Sequence, residues 1–318
     1  MSAFDPQHAL TAPFRMQPGL RKLAPGSPQL TPLRPGDKHL REKQTVLSHW
    51  PDQALLQTPG FDAGPALQAL AQHAHCEHPD AFEWRDDGAW HARWLGWRVD
   101  AEGRVTQSHG HWPDAGPCLQ GLAPQWRRAA LLCLAFAEDF AILEAQSTRV
   151  PWLAVCLPSH WAPEEKVGLR FAELHGPVAD NALLLAASEH LVQLVTRPQR
   201  WERFVWTVSS HPRLHAHPLR TDPERWPSTL NPEALVNIAW WRTERQTFIP
   251  LPEQGQAVFT IHTTVTPLRQ AVQDPALAAR LRASLASMSP AVLDYRGLTN
   301  AQARLLAWLD QHTQGHSP

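Results

Sequence analysis

The stretch EDFAILEAQSTRVPWLAVCLPS (residues 138–159) decides the fold that the sequence predicts. It contains two apolar runs, Phe140–Gln146 and Trp152–Ser159. The polar residues Ser147–Arg149 separate the two runs and favour a tight turn. Two runs of strand length on either side of a short polar turn predict a pair of adjacent antiparallel strands.

Outward from this pair, the pattern changes to helices and then back to strands. Pro163 opens a predicted helix that ends at about His175, and a second helix covers Asn181–Thr196. Three strand-like runs follow, at Trp201–Ser209, Ile238–Pro250 and Ala257–Val265. A five-stranded antiparallel sheet with helices inserted after its second strand is the topology of a PAS domain. We therefore predict an α+β, PAS-like fold.

The flanking segments are less regular. Residues 1–60 are rich in Pro and Gln and are predicted to be an arm that wraps the domain. Residues 61–318 then form a single domain with its core at 123–312. A tryptophan-rich stretch, Phe82–Trp112, indicates short strands or a hairpin in the N-terminal part of this domain. Further helices are predicted at Pro65–His75, Ala123–Glu138, Pro275–Met288 and Asn300–His312.

Composition and charge exclude several classes of protein. The 318 residues carry 29 basic and 30 acidic side chains, and no basic run could follow a phosphate backbone, so a nucleic-acid partner is not expected. The longest apolar stretch, Ala129–Leu143, is too short to cross a membrane. The N-terminus lacks the pattern of a signal peptide. The four cysteines are scattered, which fits reduced thiols in the cytoplasm.

Common catalytic signatures are absent from the sequence. It has no G-x-S-x-G, no Walker loop and no G-x-G-x-x-G. The sequence therefore lacks the motifs that usually identify serine hydrolases, P-loop NTPases and Rossmann dehydrogenases. Chemistry has to be sought in single polar residues on apolar faces.

His175 is one such residue. In a continuous helix from Pro163 to His175, the side chains of Val167, Phe171 and His175 would share one apolar stripe, which points the imidazole into the core. Gly168 lies close to this stripe and would let a flat group approach. The alternative is a core histidine bonded to a carbonyl, and spacing alone favours that alternative.

The strand Ile238–Pro250 carries three charged candidates. Period two places Arg242 and Glu244 on one face and Arg245 on the other. An arginine on the face of a cavity suits a bidentate carboxylate, such as a propionate or an acidic substrate. A cross-strand ion pair is the alternative, and it is the better interpretation of the spacing alone.

Two further patterns on strands are weaker. Thr260, His262 and Thr264 form a polar row on the last strand, and such a row is more typical of a solvated face than of a pocket. Cys156 alternates with apolar residues on the second strand. Inert packing is favoured for it over a thiolate that binds haem iron.

The loop histidines His211, His215 and His217 are spaced so that they could hold zinc, but no fourth ligand has the usual spacing. A solvated histidine-rich loop is the favoured interpretation, although the loop could also lie over a pocket. The same interpretation applies to two weaker pairs, His73 with His75 and His109 with His111.

Six sequence blocks occur in an order that identifies a family. They are EDFAIL (138–143), CLPSHW (156–161), EKVG (165–168), LHGPV (174–178), ERQTF (244–248) and VFTIH (258–262). Together they resemble the haem-dependent oxidative N-demethylase family over roughly residues 125–312. The resemblance implies a PAS-like fold that holds b-type haem. It also implies dioxygen-dependent removal of a methyl group from a secondary amine such as dimethylamine, with release of formaldehyde.

The resemblance implies an electron supply as well. In the family, a flavin-containing partner delivers electrons from NADPH, and this chain shows no nucleotide-binding motif of its own. The expected partners are therefore the small amine, dioxygen and a reductase subunit that carries flavin or an iron–sulfur centre.

Within the blocks, the resemblance implies that His175, rather than His160, holds the haem iron. Lys166, Gly168 and Phe171 belong to the same region and are expected to contact the cofactor.

On the long strand, Arg242 and Arg245 are expected to hold propionates or to shape the distal side. Glu244 is expected to bind the ammonium of the substrate, because a buried cation needs a carboxylate partner. His262 is a distal candidate, and Thr260 is a second one. Glu244, Arg245 and His262 are thus the predicted catalytic residues.

Two other readings of the family resemblance stay open. A PAS-like haem protein can be a non-catalytic sensor or storage module, and a scaffold that has lost haem would be colourless. No output segment of a sensor is visible in the sequence, which favours the monooxygenase.

Overall fold

Antiparallel strands and short helices alternate along the chain in the computed structural model, which describes residues 4–85, 88–109, 112–222 and 225–314. The strands are β1 Arg21–Lys22, β2 Leu55–Gln57, β3 Phe82–Trp84, β4 Trp90–Ala92, β5 Trp97–Val99, β6 Val105–Gln107, β7 Asp139–Glu144, β8 Trp152–Ala154, β9 Trp201–Ser209, β10 Trp240–Leu251 and β11 Gln256–Pro267. The helices are α1 Pro6–Ala9, α2 Lys38–His49, α3 Pro51–Ala54, α4 Gly64–Glu77, α5 Ala115–Gly121, α6 Pro124–Ala135, α7 Phe171–His175, α8 Ala182–Ala186, α9 Ser188–Val195, α10 Pro232–Asn237, α11 Leu268–Ala271, α12 Pro275–Ala286, α13 Pro290–Tyr295 and α14 Gln302–Gln314. The fold class is therefore α+β, as predicted.

The larger sheet has seven described strands, in the spatial order β1-β9-β10-β11-β7-β8-β2. The five strands that the sequence predicts lie next to one another in its middle. The prediction of a five-stranded sheet was wrong in number, because β1 and β2 add one short strand at each edge. Strands of two and three residues leave no alternating pattern in the sequence. A second sheet, β3-β4-β5-β6, forms from the tryptophan-rich stretch.

The hairpin β10–β11 defines the two faces of the large sheet. Its register pairs Glu244 with Thr263 and Arg245 with His262, and paired residues point to the same side. We call the side with Arg242, Glu244, Gln246 and Phe248 the front face. The side with Thr243, Arg245, Thr247 and Ile249 is the rear face.

Different segments cover the two faces. Helix α9 packs Val192 and Val195 against Phe248 on the front face, together with side chains from β7 and β8. On the rear face, Ile249 and Leu251 enter a larger core with α2, α4, α6 and the small sheet. Helices α10 to α14 form a third cluster around Trp206 and Trp241.

The predicted helix Pro163–His175 was wrong. A three-residue 3₁₀ turn, Pro163–Glu165, is separated from α7 by a turn at residues 166–168 and the extended Arg170. Gly168 breaks the helix, since its φ of +81° is in the left-handed region and its N–H donates to the Val150 carbonyl at 2.8 Å. The predicted helix Asn181–Thr196 is likewise divided, into α8 and α9.

Residues 29–31 are attached to the rear of the molecule through the carboxylates of Glu77 and Glu138. Glu77 accepts the backbone N–H groups of Gln29 and Leu30 at 2.9–3.1 Å. Glu138 accepts the N–H of Thr31 at 2.8 Å and lies 3.2 Å from His262 Nδ1. Burial alone would raise the pKa of Glu138, but His262 and the Thr31 N–H outweigh burial and lower it.

A buried ion pair joins α2 to β7. Lys43 is fully buried, and its Nζ lies 3.0 Å from Asp139 Oδ1 and donates to the Phe136 carbonyl at 3.0 Å. Asp139 Oδ2 accepts the N–H of Leu157 at 2.6 Å, which fixes the chain just after β8. Burial lowers the pKa of Lys43, but Asp139 outweighs it and the pKa is raised.

The helices in the described ranges include none that is both long enough and apolar enough to cross a membrane.

Substitution of Lys43 by Met is expected to lower the free energy of unfolding by about 3–5 kcal/mol, because it leaves Asp139 buried without its cation. Urea unfolding followed by circular dichroism measures the change. The matched control is Lys22→Met at the exposed Lys22, with an expected change within about 0.5 kcal/mol. Equal effects at both positions would contradict the importance of the buried pair.

The carboxylate of Glu138 gives a second prediction, on pH. Its pKa in the folded protein is below the ordinary value of 4.5, so it stabilises the fold above pH 4.5 and loses this contribution as the pH falls through the lower, folded value. The difference in unfolding free energy between the native protein and Glu138→Gln should therefore be constant at neutral pH and shrink below pH 4.5. For Glu253→Gln, an exposed carboxylate after β10, the difference should stay near zero. A difference in unfolding free energy between the native protein and Glu138→Gln that does not change with pH would refute the argument.

Candidate functional site

The front face collects buried polar atoms that find no hydrogen-bond partner within the described residues. Four of them are on its strands and three are on the loops that border it. They are Trp201 Nε1, Arg203 Nε, Thr207 Oγ1, Thr263 Oγ1, His160 Nδ1, His211 Nδ1 and His211 Nε2. Buried polar groups in folded proteins are almost always hydrogen-bonded, so a cluster of exceptions marks a place where a polar ligand fits.

Arg242 organises the border of this face. It is 1% exposed, and its guanidinium donates to Ser159 Oγ at 2.7 Å, to the Pro158 carbonyl at 3.2 Å and to the Leu214 carbonyl at 2.6 Å. Burial lowers its pKa to about 10, and the charge of Glu244 partly opposes this shift. Arg242 therefore connects the loop after β8 to the loop after β9. The N–H groups of Arg242 already donate to atoms of the protein, so this guanidinium is not available to bind a ligand.

Glu244 lies next to Arg242 on β10 and shares Ser159 with it. The Ser159 hydroxyl donates to Glu244 Oε1, and Gln246 Nε2 donates to Oε2 at 2.6 Å. Glu244 is 8% exposed. A carboxylate has about four acceptor positions, so these two bonds fix its orientation and leave room for a cationic ligand.

Two further guanidinium groups near the front face lack a carboxylate partner in the described part of the chain. Arg203 on β9 stands opposite Gln246, and burial lowers its pKa while the charge of Glu244 offsets this only in part. Burial also lowers the pKa of Arg225, and no acidic group opposes that shift. Because a guanidinium stays protonated in proteins, both groups need an anion or water.

His175 ends α7 beside this region. Its Nδ1 lies 2.8 Å from the Phe171 carbonyl, and its ring packs 4.2 Å from the ring of Phe171. A carbonyl can only accept, so Nδ1 carries the proton and Nε2 presents a lone pair that no described residue occupies. Burial lowers the pKa of His175, and the charges of Arg203 and Lys166 lower it further. This neutral tautomer, held by a carbonyl, is the form in which histidine binds metals.

His160 and His211 face each other at the border loops, with ring centroids 5.5 Å apart. Burial lowers the pKa of His160 to about 2 and that of His211 to about 4, and the charges of Arg225 and Arg242 add to both shifts. The Arg213 carbonyl lies near enough to His211 to oppose its shift, but not in the geometry of a hydrogen bond.

Not all of the sequence-predicted residues come together. Arg242 and Glu244 are on the front face, but Arg245 and His262 are on the rear face. Arg245 Nε donates to Glu202 at 2.9 Å and its NH1 donates to the Pro28 carbonyl at 2.9 Å, so its donors serve the attachment of the N-terminal residues.

The polar row on β11 is covered rather than solvated. Thr260 Oγ1 is buried and lies 2.7 Å from Thr247 Oγ1, and His262 is held by Glu138. These side chains contribute to the rear attachment, and the alternation of β11 directs them away from His175.

Lys166, Gly168 and Phe171 lie in the segment that leads to His175. Lys166 follows the 3₁₀ turn, and its charge acts on the pKa of His175. A Cβ on Gly168 would approach Thr58 Cγ2 to 2.9 Å, so this glycine admits a neighbouring side chain as well as forming the turn.

The histidine-rich loop is buried, which corrects the prediction of a solvated loop. His217 is 1% exposed and its Nε2 lies 3.0 Å from Glu164 Oε1. His215 is stacked between the rings of Trp50 and His217, with Nδ1 2.7 Å from the Cys156 carbonyl. Within the described ranges, no group of three or more His, Cys, Asp or Glu side chains could hold a metal ion. His111 lies outside the described residues.

His215 shares with His175 a protonated Nδ1 and a free Nε2 lone pair. Its ring, however, is held between two other rings on the side of the main core. Cys156 is buried beside Cys133, and this neighbour together with burial raises the pKa of the Cys156 thiol well above its ordinary value. A thiolate ligand at Cys156 is therefore disfavoured.

A separate cleft of about 660 Å³ lies between the small sheet, α4 and α6. Trp84, Trp90, Trp126 and Trp152 contribute to its walls. Its described lining residues include no His, Cys, Met or Tyr, so none of them is an axial ligand for a haem.

Sequence reasoning missed Arg203, Arg225 and the contact of His211 with His160. Period two in β9 could have found Arg203, since it places Trp201, Arg203 and Val205 on one face. Arg225 and His211 are in irregular segments, where no periodic pattern indicates the direction in which a side chain points.

One comparison with known proteins bears on this site. The family model described as "Haem-dependent oxidative N-demethylase, alpha subunit-like" matches residues 37–306. The match covers the large sheet from β2 to β11, the small sheet, and the helices from α2 to α13.

Proposed function

This chain belongs to the haem-dependent oxidative N-demethylase, alpha subunit-like family, and we propose that it is a haem-dependent monooxygenase that removes a methyl group from a small secondary amine such as dimethylamine. The reaction consumes dioxygen, two electrons and two protons, and it releases formaldehyde, the shortened amine and water. The observation that carries the proposal is the front face, where His175 Nε2 has no partner among the described residues and lies near the guanidinium of Arg203, whose Nε is also without one.

The front face fits haem by the chemistry of its donors. Haem b needs an axial ligand and anion-binding groups for two propionates. His175 Nε2 would hold the iron, and the hydrogen bond from Nδ1 to the Phe171 carbonyl fixes the ring in the way that metal-binding histidines need. Arg242 is paired with Glu244 through Ser159, and Arg203 and Arg225 are the two cations that would hold the two propionates.

The topology of the sheet supports the same proposal. In spatial order the five central strands are β8-β7-β11-β10-β9, and α7 to α9 are inserted after the second of them in the sequence. This arrangement is the one expected for a PAS-like core, in which the covered face of the sheet encloses a ligand.

Bound haem would supply the activation of dioxygen. The residues of this chain bind and orient the other reactant. Glu244 binds the ammonium of the amine, since its carboxylate is mostly buried and still has acceptor positions. Ser159 and Gln246 act as positioning residues that hold the two carboxylate oxygens in place. The covering helices keep bulk water from this face.

Electrons have to come from another protein in this proposal. The family description names an alpha subunit, which fits a complex with a further subunit. A flavin-containing reductase that takes electrons from NADPH, with or without an iron–sulfur centre, is the proposed partner, and the cytoplasm is the proposed location.

Haem binding is tested by an absorption spectrum of protein expressed with added haem precursor. The native protein should show a Soret band, and His175→Ala should lose or shift it because the iron loses its ligand. Free imidazole added to His175→Ala should restore the native band. The control is His190→Ala at the exposed His190 on α9, which should leave the spectrum unchanged. A colourless native protein that takes up no added hemin would refute the proposal, and haem without any formaldehyde release from dimethylamine would favour a sensor or storage protein.

Binding of the amine is tested by Glu244→Gln. Loss of a charge-assisted hydrogen bond of about 1.5–3 kcal/mol should raise the dissociation constant for dimethylammonium by about 10- to 100-fold, with haem content unchanged. Titration of the Soret band with dimethylamine measures this constant without a reductase. Glu253→Gln is the control and should bind as the native protein does. An unchanged constant for Glu244→Gln would assign the ammonium to another group.

A further inference from the structure

His160 and His211 are not explained by a haem ligand or by the binding of propionates. They come from the two loops that Arg242 holds together, the first after β8 and the second after β9. The backbone N–H of His160 donates to the Ala216 carbonyl at 2.9 Å, which joins the loops a second time. The two rings therefore form one wall at the border of the front face.

Their hydrogen bonding differs from that of His175. Neither ring of this pair donates to a carbonyl or a carboxylate in the described part of the chain, and His160 Nδ1 and both nitrogens of His211 are buried without partners. A metal-binding histidine almost always has such a partner on its second nitrogen. The pair thus lacks the support that an axial ligand needs.

Their charge state is set by their surroundings. Burial and the cations Arg225 and Arg242 hold both pKa values far below neutral, so each ring is uncharged at physiological pH. A neutral imidazole has one N–H donor and one acceptor. The wall therefore presents two N–H groups that have no acceptor among the residues that the structure describes. A small uncharged ligand with lone pairs can accept from them, and the nearby charges of Arg225 and Arg242 disfavour an ammonium at the same place.

The backbone of His160 is a further sign of a functional position. Its φ is +64°, in the left-handed region that non-glycine residues rarely adopt. Strained positions of this kind persist where the surrounding structure holds them, and they cluster at functional sites. The conformation directs the ring of His160 toward His211.

We infer that His160 and His211 form a pair of hydrogen-bond donors for the dioxygen that the haem activates, and that neither of them ligates the iron. This inference rests on the proposed function. Under this inference two groups on the front face bind different reactants. Glu244 binds the cationic amine, and the histidine pair binds the uncharged dioxygen.

The test uses the haem-loaded full chain, reduced and exposed to carbon monoxide as a stand-in for dioxygen. A hydrogen bond to carbon monoxide lowers its C–O stretching frequency, which infrared spectroscopy measures without any turnover. The variants are His160→Asn, since Asn tolerates a positive φ, and His211→Gln. His190→Asn on the surface of α9 is the matched control.

The expected result is a shift of the C–O stretch to higher frequency in at least one variant of the pair, with haem content and the Soret band of the oxidised protein unchanged, and no shift in the control. Full haem content with an unshifted stretch in both variants would overturn the inference and leave the proposed function intact. Loss of haem from His160→Asn or His211→Gln would also overturn it, because that residue would then be the iron ligand. A native protein without haem would overturn the proposed function and the inference together.

Discussion

The guanidinium of Arg242 is the constraint on which the front face depends. It lies on the longest hairpin of the sheet, yet its hydrogen bonds go to loops that follow β8 and β9. Those loops carry Ser159, His160 and His211. A charged group with so little exposure is tolerated only because carbonyl oxygens, a hydroxyl and a nearby carboxylate surround it. Through Arg242, the sheet thereby holds the loops after β8 and β9 in a fixed position relative to Glu244.

Electrostatics then divides the molecule into two faces with different tasks. On the rear, charges are matched in pairs, as between Arg245 and Glu202, and they fasten segments of the chain. On the front, cations and imidazoles exceed the acceptors that the described residues provide. Matched pairs indicate structure, whereas a surplus of buried donors indicates a missing anion or polar ligand. Arg245 has a carboxylate partner and Arg203 has none among the described residues. This difference in pairing distinguishes the two arginines, whereas the period-two pattern of their strands does not.

The sequence predicted the central strands and the alternation of Arg242 and Arg245 because long strands with one covered face leave a period-two pattern. It failed where local propensity was overruled by contacts distant in sequence. Pro163–His175 has a helical stripe, but Gly168 adopts a positive φ and bonds to Val150, so the stripe never forms. It could not place Arg225 or His211, since loops follow their hydrogen bonds rather than a period. The position of His175 beside Arg203 depends on that same broken helix.

The short strands at the two edges of the large sheet have a consequence for the behaviour of the protein in solution. β1 covers the start of β9, the guanidinium of Arg296 bonds to the Trp206 carbonyl farther along β9, and β2 covers β8. An uncovered edge offers free N–H and C=O groups to a second molecule and is a starting point for aggregation. β1 and β2 therefore cover the edges of β9 and β8 against edge-to-edge association. Because β1 and β2 precede β9 and β8 in the chain, both covering strands have already been synthesised when the two edges form.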